Sequence, residues 1–163
     1  TAAGSGPFPG AELSLDGYVE TEIATRPALA VEDELKARLE KARRLDGSEP
    51  AAVPGPHRSD LEVRHMTKGM MAPHCSTGEQ KALLIAIVLG HARLGAYETG
   101  AVPVLLLDEV AAHLDSGRRA ALYDILLALG GQVWMTGTDR ALFASLEGAG
   151  QFFAVEDGEV RAD

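Results

Sequence analysis

Six apolar residues stand in an unbroken row, Val102-Pro103-Val104-Leu105-Leu106-Leu107, and two acids, Asp108 and Glu109, follow with no spacer. A half-exposed strand alternates apolar and polar residues, and a surface helix repeats every three or four. A short continuous run is what a parallel strand covered on both faces looks like. The segments around it have the required partners. Residues 77–96 read as a mostly buried helix, and 116–129 as a second helix with Leu122, Ile125, Leu126 and Leu129 on one side. A strand at 132–136, a short helix at 140–146 and a strand at 152–155, with Asp157-Gly158 as its turn, complete the series. Helix, strand, helix, strand, helix, strand predicts an α/β fold with a largely parallel sheet. There is no internal repeat and no low-complexity tract.

The first half reads less regularly. Residues 1–10 are rich in Gly, Pro and Ala and are expected to be loose. Residues 11–23 place Leu13, Leu15, Val19 and Ile23 around Asp16-Gly17, which predicts a hairpin or paired strands. Residues 31–45 carry Val31, Leu35, Leu39, Ala42 and Leu45 at helical spacing, a surface helix. A turn-rich connector at 47–56 leads to a short strand at 61–65.

Composition limits the functions open to such a chain. Fifteen Lys and Arg against 24 Asp and Glu give a net charge of −9 over 163 residues. That argues against the whole surface coating nucleic acid or anionic lipid, while leaving room for a local basic patch. The single cysteine, Cys75, forms no intramolecular disulfide, which suits a reducing, cytoplasmic compartment. The longest apolar runs, 82–90 and 102–107, fall short of the roughly 20 residues of a membrane span, so no membrane partner is expected. The first residues lack the pattern of a signal peptide and an initiator Met, and the sequence is expected to begin inside a longer one.

Two stretches carry chemistry. Ligands in open α/β sheets gather at the carboxyl ends of strands, so Asp108 and Glu109 are well placed for metal and phosphate work. Alternating side-chain direction gives them different tasks: one holds Mg²⁺ through water while the other reaches an attacking water. The second stretch is Ser76-Thr77-Gly78-Glu79-Gln80, which opens the helix at 77–96. Ser76 and Glu79 have the S-x-x-E spacing of a capping box. Gly78 in the first turn costs about 1 kcal/mol against Ala, yet lets another molecule approach free amides at the positive end of the helix dipole.

Read together, these stretches form an ordered set that resembles the C-terminal half of an ABC-type ATPase head. Residues 76–80 match the signature loop, 105–109 the Walker B strand and Leu114-Asp115 the D-loop. Within that superfamily the blocks "GPHRSD" (55–60), "CSTGEQKALL" (75–84), "LLLDEVAAHLD" (105–115) and "TGTD" (136–139) resemble the RecF family, over about residues 11–160. The motifs are specific jointly rather than singly. The resemblance implies a lobe II segment at 1–100 ending in the signature helix. It makes 101–163 the second half of the ATPase core, with Walker B, D-loop and switch region.

The resemblance further implies ATP and Mg²⁺ as cofactors, an ATP-dependent homodimer on DNA at gaps, and slow hydrolysis that undoes it. Partners of the RecO and RecR type would load recombinase, in DNA replication, repair and the SOS response to damage. By the same resemblance Glu109 activates the hydrolytic water and Asp108 helps hold Mg²⁺. Ser76, Gly78 and Gln80 meet the γ-phosphate of ATP on the other protomer, and Asp115 works across the interface. Thr138 stands where ABC heads usually carry a switch histidine, and Ser59 where the family typically shows an acid. No G-x-x-x-x-G-K-[ST] occurs in the sequence, so the phosphate-cradling loop is expected upstream of Thr1, and these residues alone are expected to be inactive. Two rival readings are another ABC-type head, SMC-like or transporter, and a non-enzymatic α/β interaction module.

Other candidates have plainer readings. Cys75 beside His74 reads as a packed residue rather than a thiolate nucleophile, and His113 as a surface residue. His57, His65, His74 and His91 lack metal spacing. Arg58 reaches phosphate or ties lobes through a carboxylate. Lys36, Arg38, Lys41, Arg43 and Arg44 make a basic helix side interleaved with Glu32, Glu34 and Glu40, a solvated face by default and a DNA contact by family resemblance. Trp134, Phe152 and Phe153 read as core.

Overall fold

A computed structural model describes residues 6–44 and 55–162. The chain divides into two compact units, Ala11–Cys75 and Ser76–Asp163, with residues 6–10 belonging to the second.

In the first unit, β1 (Ala11–Asp16) pairs antiparallel with β2 (Asp60–His65), in register from Ala11 opposite His65 to Asp16 opposite Asp60, and β2 pairs with β3 (Met70–Met71). The expected hairpin at 11–23 does not form. After Gly17 the chain enters α1 (Tyr18–Ile23). Val19 and Ile23 are four apart, a spacing that suits a helix face as well as a strand, and the strand partner of β1 comes from distant β2. Gly17 makes this corner possible: a Cβ there would lie 2.2 Å from Glu20 Oε2 and 2.4 Å from Ser59 Oγ. The Ser59 hydroxyl donates to both Glu20 carboxylate oxygens at 3.1 Å, which gives the serine at this place a structural partner.

The surface helix is α2 (Ala28–Arg44), with Val31 buried; Leu45 and residues 47–54 of the expected connector lie outside the described residues. Much of the basic side of α2 is paired. Lys36 Nζ lies 2.7 Å from Glu32, and Arg38 pairs with Glu34. Arg26, between α1 and α2, holds both Glu22 and Glu34, the latter at 2.8 Å. Lys41 and Arg43 are exposed.

The second unit is built on α3 (Thr77–Thr99), which ends on Gly100 in the left-handed conformation (φ 73°). Its Ala82, Ile85, Ala86, Leu89 and Ala92 enter one core with Leu105, Leu122, Tyr123, Leu126 and Leu146. That packing puts the division between units at 75/76, whereas the lobe boundary implied by resemblance falls at 100/101. By length and hydropathy the 23 residues of α3 suffice to cross a membrane, a length the unbroken run at 82–90 does not suggest; its buried side is committed to this core. Residues 1–5 lie outside the described residues, but Phe8 is 2% exposed and belongs to the same core, contrary to the expectation of a loose N-terminus.

Strands β4 (Leu105–Leu107) and β5 (Val133–Met135) pair in parallel, Leu105 opposite Val133 through Leu107 opposite Met135. Between them lie a 3₁₀ turn (Val110–His113) and α4 (Ser116–Leu129), the latter as expected. The segment Arg140–Leu146 is 3₁₀ rather than α-helical. Then β6 (Phe153–Glu156) and β7 (Glu159–Ala162) form an antiparallel hairpin. Its turn, Asp157-Gly158, has φ of 50° and 80°, the positive pair that a tight two-residue hairpin requires. Parallel pairing among the described residues is confined to β4 and β5.

One expectation about β4 is corrected. Leu105 and Leu107 face the core with Val133 and Met135, but Leu106 is 76% exposed and Trp134, opposite it in register, 51%. Trp134 stacks on the half-exposed Phe153 (centroids 6.1 Å apart), so neither is core; Phe152 is packed against it. The strand is covered on one face within this unit. The apolar residues on its other face meet no layer from these elements.

Candidate functional site

Asp108 and Glu109 stand at the carboxyl end of β4, Asp108 exposed and Glu109 half-buried. The parallel ladder continues one step past β5, where the Thr136 amide donates to the Leu107 carbonyl at 3.1 Å. That step brings the Thr136 hydroxyl to the acidic pair: it donates to Asp108 Oδ1 and accepts the Glu109 backbone N–H at 3.0 Å. Glu109 itself is left-handed, with φ 50° and ψ 21°, a conformation that costs a residue with a side chain about 1–2 kcal/mol. Thr136 was not singled out from sequence, where Thr138 drew attention as the replacement for a switch histidine.

The loop after β5 is braced from within the unit. A Cβ on Gly137 would lie 2.7 Å from Phe143 Cε2, so the ring packs directly on the backbone there. Phe143 in turn stacks on buried Tyr123, whose hydroxyl donates to the Leu142 carbonyl at 3.0 Å. Asp139 caps the following turn by accepting the Ala141 N–H at 2.8 Å. Thr138 is exposed between these anchors.

Past the acidic pair, Ala111 and Leu114 are buried, and Asp115 is the N-cap of α4. Its Oδ1 accepts the Arg118 N–H at 2.8 Å, while Arg119 Nη1 donates to the Leu114 carbonyl at 3.2 Å. Asp115 is exposed and already employed as a cap.

At the start of α3 the expected capping box is present: the Glu79 N–H donates to Ser76 Oγ (3.4 Å) and the Ser76 N–H to Glu79 Oε2 (2.9 Å). The first intrahelical bond is Gln80 N–H to Ser76 C=O at 2.9 Å, so helix geometry offers Thr77 and Gly78 no intrahelical acceptor. Nothing lies within 4 Å of a Cβ built on Gly78. Ser76, Gly78 and Gln80 are all exposed.

The remaining candidates take their plainer roles. Cys75 is buried, its thiol donating to the Met71 carbonyl at 3.6 Å, and buried His65 accepts the Lys68 N–H at Nδ1. His57, His74, His91, His113 and Arg58 are exposed. Among the described residues no three His, Cys, Asp or Glu side chains gather as a metal cluster. A magnesium ion bound with a nucleotide needs no such cluster, since it takes one or two carboxylates plus water and phosphate oxygens. Asp108 fits that donor set.

No family model matches the chain. Curated relatives do. The chain is 53% identical over 156 residues to the DNA replication and repair protein RecF of Rhizobium etli (strain CIAT 652), covering 96% of this chain and 41% of the relative. It is 54% identical over 160 residues to RecF of Agrobacterium fabrum (98% and 42%), and 54% over 155 residues to RecF of Brucella abortus (strain 2308; 95% and 40%). Among solved structures it superimposes on the recombination mediator protein RecF-ATPrS of the RecFOR pathway with a TM-score of 0.67 and 25% identity, covering 94% of this chain and 39% of that one. The RecF-ATP structure of the same pathway gives 0.63 and 25%, with 94% and 41% covered.

Fold and motif order thus define part of an ABC-type ATPase head. Within that class the chain is similar, along nearly all of its length, to the DNA replication and repair protein RecF, and it spans about two fifths of the length of the curated relatives it matches.

Proposed function

We propose that these residues supply one half of an ATP-operated clamp acting on DNA. In this reading residues 1–100 form a lobe II segment ending in the signature helix, and 101–163 the second half of the ATPase core. The phosphate-cradling loop comes from a part of the longer protein outside these 163 residues. The observation that carries the reading is the acidic pair pinned at the end of β4 against the end of the neighbouring parallel strand. Glu109 positions and activates the water that attacks the γ-phosphate. Asp108 holds Mg²⁺ through water, and that ion, when bound, neutralises charge on the phosphate oxygens.

The tip of α3 serves the other protomer. Its first-turn amides and helix dipole favour an anion. Ser76 caps its own helix when alone and turns its hydroxyl to phosphate when a partner's ATP arrives. Gly78 admits close backbone approach, and Gln80 adds a polar contact. Asp115 and Thr138 complete the interface and the γ-phosphate region. Because each site needs two chains, ATP closes a homodimer and hydrolysis opens it. DNA at gaps, recombinase loading with RecO- and RecR-type mediators, and a cytoplasmic setting follow from the same reading.

The test is Glu109→Gln in the full-length protein. Turnover is expected to fall at least a hundredfold, with the ATP-bound species held as a dimer in size-exclusion chromatography with light scattering. Unchanged turnover overturns the assignment.

A further inference from the structure

The acidic pair is held by the first residue of the "TGTD" block, to which the resemblance assigns no role. The geometry points to Thr136 as a positioning residue for the ATPase reaction, fixing both members of the pair through one hydroxyl; this rests on the ATPase reading above. The hydroxyl uses its proton on Asp108 Oδ1 and a lone pair on the Glu109 N–H. The second bond holds the amide of a residue in the left-handed region (φ 50°), where a side chain normally pushes the backbone away. Without that acceptor Glu109 gains little by staying left-handed, and relaxation of its φ and ψ swings its carboxylate away from the reacting water. Misplacement of about 1 Å is enough to cost on the order of a hundredfold in rate.

Thr136 can do this because of register. Leu107 lies opposite Met135, and the next ladder bond, Thr136 N–H to Leu107 C=O, sets Thr136 level with the acids. Its own backbone continues into Gly137, locked under Phe143, and Asp139, which caps the next turn. The acids at the end of β4 are therefore tied to the loop after β5 that carries Thr138. A shift in that loop reaches the Glu109 backbone through one side chain.

The experiment uses full-length protein with ATP and Mg²⁺, comparing wild type, Thr136→Val, Thr136→Ala and Thr136→Ser. Val and Ala lack the hydroxyl and Ser keeps it. Expected for Val and Ala is a kcat at least tenfold lower with the KM for ATP within threefold of wild type. The Glu109 amide is expected to exchange hydrogen at least tenfold faster in both. Ser should stay within threefold on every measure. Wild-type-like kcat in Val and Ala, or Ser as impaired as Val, overturns the inference. Amide exchange needs no nucleotide and reads the Thr136 contact even if Glu109→Gln leaves turnover unchanged. In that case the ATPase reading falls, and the positioning role in catalysis with it.

Discussion

Replacing Gly78 by Ala should move stability and assembly in opposite directions. Gly78 lies in the first turn of α3, between the Ser76 cap and the first intrahelical bond at Gln80, and nothing within 4 Å meets a Cβ built there. Alanine therefore meets no clash among the described residues. It removes the backbone freedom that glycine must lose on folding, a gain of about 0.5–1 kcal/mol in a helix interior. At about 1.4 kcal/mol per tenfold, local opening should become about two- to fivefold rarer. Hydrogen exchange at the Gln80 amide reads this directly, and exchange there is expected to slow by that factor in full-length protein. ATP-dependent dimerisation, followed by light scattering against ATP concentration, should instead weaken at least tenfold, because on the proposed function the added methyl stands where a partner's phosphate approaches the amides. A Gly78→Ala protein that is stabilised yet dimerises like wild type refutes the idea that this glycine serves a partner. Faster exchange at Gln80 would refute the local reasoning itself.

Two further predictions concern the scaffold. Hydrogen bonds from Arg26, then Arg38, hold the Glu34 carboxyl down at about 2 against its ordinary 4.5. A depressed carboxylate contributes stability that is complete above its unfolded value and is lost as pH falls from about 4.5 through 2. A ¹³C titration of the Glu34 carboxyl should find its midpoint well below the ordinary 4.5, and a midpoint near 4.5 would exclude the Arg26–Glu34–Arg38 network. In the second unit, Gly137→Ala places a methyl 2.7 Å from Phe143 Cε2. It should cost about 1–3 kcal/mol in chemical denaturation, whereas an unchanged midpoint would show that the ring is free to move.

What the sequence reveals depends on how local the interaction is. The capping box of α3 is legible because Ser76 and Glu79 are three apart, and their reciprocal bonds need no other part of the fold. The acids after β4 are legible as an abrupt change of polarity. Thr136 is not, since its bond to Asp108 spans 28 positions and exists only in one register of two strands. The helix at Tyr18–Ile23 is not legible because Val19 and Ile23 fit both periods, and the partner of β1 is β2, reached only after the whole of α2. The run at 102–107 correctly signals an apolar strand, but an apolar pattern does not say where its cover comes from.

That last point separates features whose cause lies within these units from those whose cause lies elsewhere. Gly17 and Gly137 are explained internally: Glu20 and Ser59 crowd the first, and Phe143 the second. Gly78 has no such neighbour among the described residues, and Leu106 presents apolar surface that is 76% exposed. A helix carries a glycine in its first turn, and a strand bares a 76% exposed leucine. These two features lie on stretches the family resemblance marks, the signature loop and the Walker B strand. On the proposed function, the glycine answers to a phosphate carried by a second protomer. On the same proposal, the bare strand face answers to the rest of the ATPase core, the relatives being more than twice the length of this chain.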